Sequence, residues 1–327
     1  MKKKSDNQPL LATQPTAPLS AAEGYNVAAI DVGSNAARLL IKHVEREDGK
    51  DHVSKLMFLR VPLRLGMDVF GNGEISEERA KEFVAMMKAY RQLMKVYHVA
   101  TYRACATSAM RDARNGAEVL TRIEEKAHIH LEVISGDEES RIIYDNHLCW
   151  TLANPNHAST RCFLYVDVGG GSTEINFIKD GVRQYSHSFN VGTIRLLKGK
   201  AKAEDIETMK AAVAELAKGQ PPFDIIGSGG NINKLFRLAS KKRKLDYLPV
   251  VTLRELRDAL APLTVEQRME TFGLKPDRAD VIVPAADIFL AIADGLKAKR
   301  ILVPNMGLAD GIINELIVAA EQKENKQ

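Results

Sequence analysis

The chain carries one short device twice. Ala29-Ile30-Asp31-Val32-Gly33-Ser34-Asn35 and Tyr165-Val166-Asp167-Val168-Gly169-Gly170-Gly171 share an order of apolar strand residues, an aspartate and a glycine turn. Each is followed by a second β-like stretch, Leu39-Leu40-Ile41 in the first case and Glu174-Ile175-Asn176-Phe177-Ile178 in the second, so each reads as strand, tight turn, strand. A third glycine turn follows at Gly227-Ser228-Gly229-Gly230. A duplicated unit of this kind, in a chain that otherwise mixes strand and helix patterns, predicts an α/β protein of two similar halves flanking a cleft. The length of 327 residues agrees, because single cores usually stop growing below it.

Between and after the copies the patterns alternate. Val53 to Val61 and Val99 to Ala106 read as strands, as does Ile129 to Ile134. Ser76-Glu77-Glu78 offers an N-cap with acids in the first turn of a helix whose Phe83, Met86, Met87, Tyr90, Leu93 and Met94 form a core-facing stripe. Ala117 to Lys126, Ala203 to Ala217 and Leu308 to Ala320 read as further helices, and Val182 to Phe189 as a strand. Residues 1–24, rich in Pro, Thr, Ala, Gln and Ser, predict a flexible tail.

Composition narrows the function classes. Hydrophobic residues at 45% and charged residues at 27% exclude a disordered or collagen-like chain. The net charge of +4 is too small over this length to argue for nucleic acid, so an anion site must be local. Cys105, Cys149 and Cys162 have no C-x-x-C spacing, and the eight histidines form no H-x-x-x-H pair. With no long apolar run and no secretion signal, a cytoplasmic location is expected, without membrane contact.

Glycine turns let backbone N–H groups converge on an anion, because no Cβ blocks the approach or the φ > 0 conformations. Neither repeated turn is a Walker A loop or opens a helix as the dinucleotide fingerprint requires. The aspartate before each turn instead suits a carboxylate that holds Mg²⁺ or positions a water beside phosphate, and Ser172 and Glu174 are close enough in sequence to join Asp167. One D-x-G turn alone reads more simply as an ordinary hairpin; two copies favour the phosphate reading. In Ser135-Gly136-Asp137-Glu138-Glu139-Ser140-Arg141 the acids suit the first turn of a helix. Lying between the two turns, the same acids also suit a carboxylate that deprotonates an attacking water. Arg111, after another strand, suits either bidentate phosphate clamping or the plain capping of a loop. The basic run Lys241 to Lys244 reads first as a solvated loop and second as a path for a polyanion.

Together these motifs resemble the exopolyphosphatase and guanosine pentaphosphate phosphohydrolase family, a branch of the actin, Hsp70 and sugar-kinase superfamily, from about Asn26 onward. The resemblance implies two ribonuclease-H-like (actin-like ATPase) domains with an interdomain cleft, here residues 25–136 and 137–307, with the C-terminal helix 308–322 packed on the first. It implies Mg²⁺, with Mn²⁺ as substitute, and release of orthophosphate from the end of polyphosphate. Matched by position, Glu139 takes the catalytic role and Arg111 clamps phosphate, while Asp167, Ser172 and Glu174 fall at metal positions. The expected phosphate-binding set is Asp31, Gly33, Ser34, Asn35, Gly169, Gly170, Gly171, Ser172, Thr173, Gly227, Ser228 and Gly229. Ala36-Ala37-Arg38 departs from the polar or aromatic residues of many members. Guanosine pentaphosphate is the alternative substrate; a small-metabolite kinase of the same superfamily and a non-catalytic phosphate-chain sensor are the readings from other classes. No nucleic-acid partner is expected, and a homodimer is left open.

Overall fold

A computed structural model of the chain describes residues 24–47, 50–153, 162–220, 223–241 and 244–324. The expected tail, apart from Gly24, and Lys242 and Arg243 of the basic run lie outside the described residues.

The first half runs β1 (Tyr25–Val32), β2 (Ala37–Glu47), β3 (Lys50–Val61), α1 (Leu65–Asn72), α2 (Glu77–Val96), β4 (Val99–Ala106), α3 (Ser108–Asp112), α4 (Gly116–Ala127) and β5 (Glu132–Val133). Helix α5 (Gly136–Ala153) crosses to the second half: β6 (Cys162–Val168), β7 (Thr173–Lys179), β8 (Val182–Phe189), α6 (Thr193–Leu197), α7 (Ala203–Ala217), β9 (Asp224–Ser228) and α8 (Gly230–Ala239). There follow β10 (Leu248–Pro249), α9 (Val250–Leu260), α10 (Val265–Phe272), α11 (Pro276–Ala279), α12 (Ile282–Leu296), β11 (Arg300–Leu302) and α13 (Leu308–Glu324).

The duplication seen in the sequence is a duplication of topology. The first sheet has the order β3-β2-β1-β4-β5, and the second reads β8-β7-β6-β9-β11 with β10 added at the far edge. In both, an antiparallel meander of three strands is extended by parallel strands, β4 on β1 and β9 on β6. This is the ribonuclease-H-like arrangement, made twice. The hairpin turns match in detail: Gly33 N–H donates to Ala36 O at 3.1 Å, and Gly169 N–H donates to Ser172 O at 3.0 Å.

Local sequence accounts for much of this. Ser76 caps α2 by accepting from Arg79 N–H, with Glu77 and Glu78 in the first turn, and Phe83, Met86, Met87, Tyr90 and Met94 are buried against the first sheet. The segment 129–134 differs from expectation. Only Glu132 and Val133 pair, with Cys105 and Ala106, at the sheet edge, while Ile129 and Leu131 are buried in the core without a ladder. The other face of the first sheet is covered by α13, whose Leu308, Ile312, Ile313 and Ile317 pack with Val27, Ala29 and Leu40 and with Ile142 and Ile143 of α5. Helix α5 also packs on β7 and β8, so it is the element shared by both sheets. Among the described residues no helix is long and apolar enough to cross a membrane.

Candidate functional site

The carboxyl ends of β1, β4, β6 and β9 converge, which is where open α/β sheets bind ligands. Strand register decides which side chains meet there. Asp31 stands opposite Arg38 across one hairpin, and Asp167 stands opposite Glu174 across the other. On the parallel side Asp167 is level with Ser228.

Three carboxylates line the second hairpin and the start of α5, and a fourth, Asp31, stands on the first hairpin. Asp167 Oδ2 accepts from Ser228 Oγ at 2.6 Å, and Glu174 Oε1 accepts from Ser188 Oγ at 2.7 Å. Glu139, 8% exposed, accepts from Arg111 Nη1 at 3.0 Å. Asp31 accepts from Arg38 Nη1 at 2.5 Å. Burial, together with the neighbouring Asp167, pushes the Glu174 carboxyl up to about 7. Burial, the Glu174 charge and, more weakly, Asp167 hold Glu139 well above the usual carboxylate range against the opposing pull of Arg111. Burial likewise raises Asp167, although Ser228 and Arg38 act in the other direction. In Glu139, Asp167 and Glu174 burial is the largest cause of the rise, with the charges of neighbouring acids adding to it.

Arg111 is not a free surface arginine. Its Nη1 donates to Ile134 O at 2.8 Å and to Glu139, and both bonds use that one nitrogen, so the rest of the guanidinium fork stays available to an oxyanion. Ser34 Oγ and Ser108 Oγ are 2.8 Å apart, joining the first turn to the start of α3. Asn35 Nδ2 donates to Asp277 O at 2.9 Å, while Asn35 Oδ1 is buried without a partner.

The turns lie against one another. A Cβ on Gly170 would stand 2.9 Å from Ser34 Cβ and 3.3 Å from Asn35 N, and one on Gly171 would stand 2.4 Å from Ser108 Oγ. The expectation of φ > 0 at these glycines is corrected: Gly33, Gly169, Gly170 and Gly171 all lie outside that region, and at Gly169, Gly170 and Gly171 close approach is what disfavours a side chain. Gly229 does require it, at φ 102, and it leads directly into α8. Two residues of the expected phosphate set have other work. Thr173, fully buried, donates to Val191 O at 2.5 Å. Gly227 sits inside β9, where a Cβ would strike Ile301 and Phe289.

Sequence reasoning missed Arg38, Ser188 and Arg195. Arg195 reaches across from α6, donating to Gly171 O at 2.8 Å and to Asp112 at 2.7 Å while lying over the Phe70 ring. A usable signal existed for Arg38: it follows Asp31 by the same spacing at which Glu174 follows Asp167. Among the described residues no three His, Cys, Asp or Glu side chains stand ready to enclose a metal ion. The oxygens present are nonetheless hard donors, and the raised carboxyls are short of positive charge, so their chemistry fits a small divalent cation.

Comparison with known proteins agrees with this architecture. The chain is 26% identical over 319 residues to a bifunctional 3-dehydroquinate synthase/phosphatase of Fusobacterium nucleatum, covering 90% of this chain and 47% of that protein, so it spans about half the length of that relative. It is 25% identical over 304 residues to exopolyphosphatase 1 of Mycobacterium tuberculosis, covering 87% of this chain and 86% of the relative. A crystal structure of the Ppx/GppA family member of Aquifex aeolicus aligns with 90% of this chain and 98% of its own at 26% identity, with a TM-score of 0.68. An exopolyphosphatase structure from Cytophaga hutchinsonii, 23% identical, covers 90% and 98% of the two chains with a TM-score of 0.74 and is alike in fold. The paired sheets are the actin-like ATPase fold of these neighbours. With residues 44–319 matching the family model for the Ppx/GppA phosphatase family, the chain belongs to that family.

Proposed function

We propose that the chain is a phosphoanhydride hydrolase that releases orthophosphate from the end of inorganic polyphosphate. Guanosine pentaphosphate is the second substrate of the same class, a reading supported by a 24% identical guanosine-5'-triphosphate,3'-diphosphate pyrophosphatase of Aeromonas salmonicida. The observation that carries the proposal is the buried pairing of Glu139 with Arg111 beside Glu174. An acid whose burial raises its pKa above the ordinary carboxylate range is a stronger base than a free carboxylate, and an arginine fork beside it suits the terminal phosphoryl oxygens.

In this reading the attacking water gives a proton to Glu139 while its oxygen bonds to the terminal phosphorus. The bridging P–O bond breaks, and its electron pair stays on the shortened chain. Arg111 holds the phosphoryl oxygens through the nitrogens that Ile134 and Glu139 leave free. Asp167 and Glu174 would hold Mg²⁺ or Mn²⁺, with Ser172, Ser188 and Ser228 orienting them, and the cation would neutralise charge on the phosphate chain. The Ser34, Asn35 and Gly169 to Gly171 turns, apposed across the cleft, line the approach. The test is orthophosphate release from short polyphosphate, long polyphosphate and guanosine pentaphosphate, each with Mg²⁺ and with excess EDTA. Release without any acceptor supports hydrolysis over the kinase reading; undiminished release in EDTA, or none from any substrate with Mg²⁺, overturns the proposal.

A further inference from the structure

We propose that Arg103 is a positioning residue for the reaction, aiming Glu139 by holding its neighbour Glu138. The inference rests on the reading of Glu139 as the base. Arg103 lies on β4, level with Ala29 of β1, and its guanidinium bonds carboxylates from separate elements. It donates to Glu132 of β5 at 2.7 Å, to Glu315 of α13 at 2.5 Å and to Glu138 of α5 at 3.3 Å. Arg141, one turn along α5, grips both oxygens of Glu138 at 2.8 Å and reaches Glu315 at 2.5 Å.

Consecutive residues on a helix point about 100° apart. With Glu138 tied down between Arg103 and Arg141, the first turn of α5 cannot roll, and Glu139 is directed to Arg111. The backbone is fixed at the same place: Ser135 Oγ accepts from Glu138 N–H at 3.1 Å, and Ile134 O accepts from Arg111. Two arginines of one strand-and-helix segment thus hold the turn from its two sides, Arg103 through Glu138 and Arg111 through Glu139. The Arg103 side chain is 18% exposed, so its bonds are shielded enough to hold a geometry. Removing Arg103 leaves Glu132 without its arginine and Glu138 and Glu315 sharing Arg141 alone, and the repulsion falls on the turn that carries the base.

The competing role is to fasten α13 to the sheet, and the two legs of the network separate the roles. Arg103→Ala and Glu138→Gln are compared with Glu315→Gln, measuring kcat, KM and the pH profile of kcat for polyphosphate with Mg²⁺, alongside thermal melts. Small misplacements of a catalytic group cost up to about 10²-fold in rate. The expected result is a fall of about 10–10² in kcat for Arg103→Ala and Glu138→Gln, with KM unchanged and the acidic limb of the pH profile displaced. Glu315→Gln should lower the melting temperature and keep the parental kcat. Parental kcat in Glu138→Gln, or an equal loss in Glu315→Gln, overturns the proposal; if Arg103→Ala does not fold, Glu138→Gln decides. Glu139→Gln measured in parallel keeps the readings apart: an active Glu139→Gln removes the base itself, whereas an inactive one beside fully active Arg103 and Glu138 variants removes only the positioning role.

Discussion

Replacing Glu139 by Gln keeps the shape of the side chain and its contact with Arg111 but removes the proton acceptor. Turnover should fall by about 10²–10⁴ while polyphosphate binding survives, as phosphate-release and equilibrium-binding measurements would establish. A role confined to the helix dipole predicts the opposite, about 0.3–1 kcal/mol of stability and an intact rate. The carboxyl groups also make a pH prediction. Glu174 is raised from 4.5 to about 7, so the folded protein holds this proton more tightly than the unfolded chain does. Its contribution is complete below the unfolded value near 4.5 and is lost as pH rises through about 7; Glu139 and Asp167 shift in the same direction. Melts in EDTA should therefore show a melting temperature that falls across that window, and Mg²⁺ should flatten the slope; a metal-free melting temperature that rises there contradicts the assignment. At this scale the acids were legible in the sequence because they sit within the repeated motif or a contiguous acidic run. Ser188 and Arg195 were not, because they reach the site from β8 and α6 through tertiary packing.

The hairpin elements explain why the glycines matter, and they change what substitution should do. Gly170 faces Ser34, and Gly192 lies so close to the same turn that a Cβ would stand 2.3 Å from Gly171 C. That closeness lets Gly170 O accept from Ile194 N–H at 2.8 Å, tying α6 to the turn. Added bulk at Gly170 should therefore lower both activity and stability, the latter by about 1–3 kcal/mol, since no space exists into which the side chain can relax. Gly181 is the control: it has φ 76 with nothing near its missing Cβ, so Ala there should cost about 1 kcal/mol and leave phosphate release at the parental rate. Melts and rates on both variants test the pair, and a Gly170→Val protein as stable as the parent would count against packing as the reason for glycine. Long elements with strong periodicity, such as α2 and α7, were readable from the sequence. Short ones were not: α3 and α6 each span five residues, too few for a pattern, and exist because the chain must turn at the strand ends.

At the scale of the whole molecule the cleft was foreseeable from the repeat, but the ion pairs that tie Arg60 and Arg64 to its far side were not, because they link residues more than 200 positions apart. Arg60 of β3 donates to Asp277 at 2.6 Å, and Arg64 pairs with Asp280. Around Asp277 the positive charge is already dense. Arg278 is pushed down to about 9 by burial and by Arg60 and Arg38, with Asp277 the acid acting in the other direction. Asp277→Ala should therefore cost more than one lost contact, because it leaves Arg60 and Arg278 facing each other without a counter-charge. Breaking a buried pair on one side costs about 3–5 kcal/mol; the Arg60 side chain is 17% exposed, so the lower part of that range applies. Adding Arg60→Met to Asp277→Ala removes the stranded charge, and the double variant should recover part of the lost melting temperature, a non-additivity expected of groups that share one site. If the double variant melts at or below Asp277→Ala, the loss comes from the missing tie between the halves rather than from charge, and the junction is held by geometry instead of by balance among its arginines.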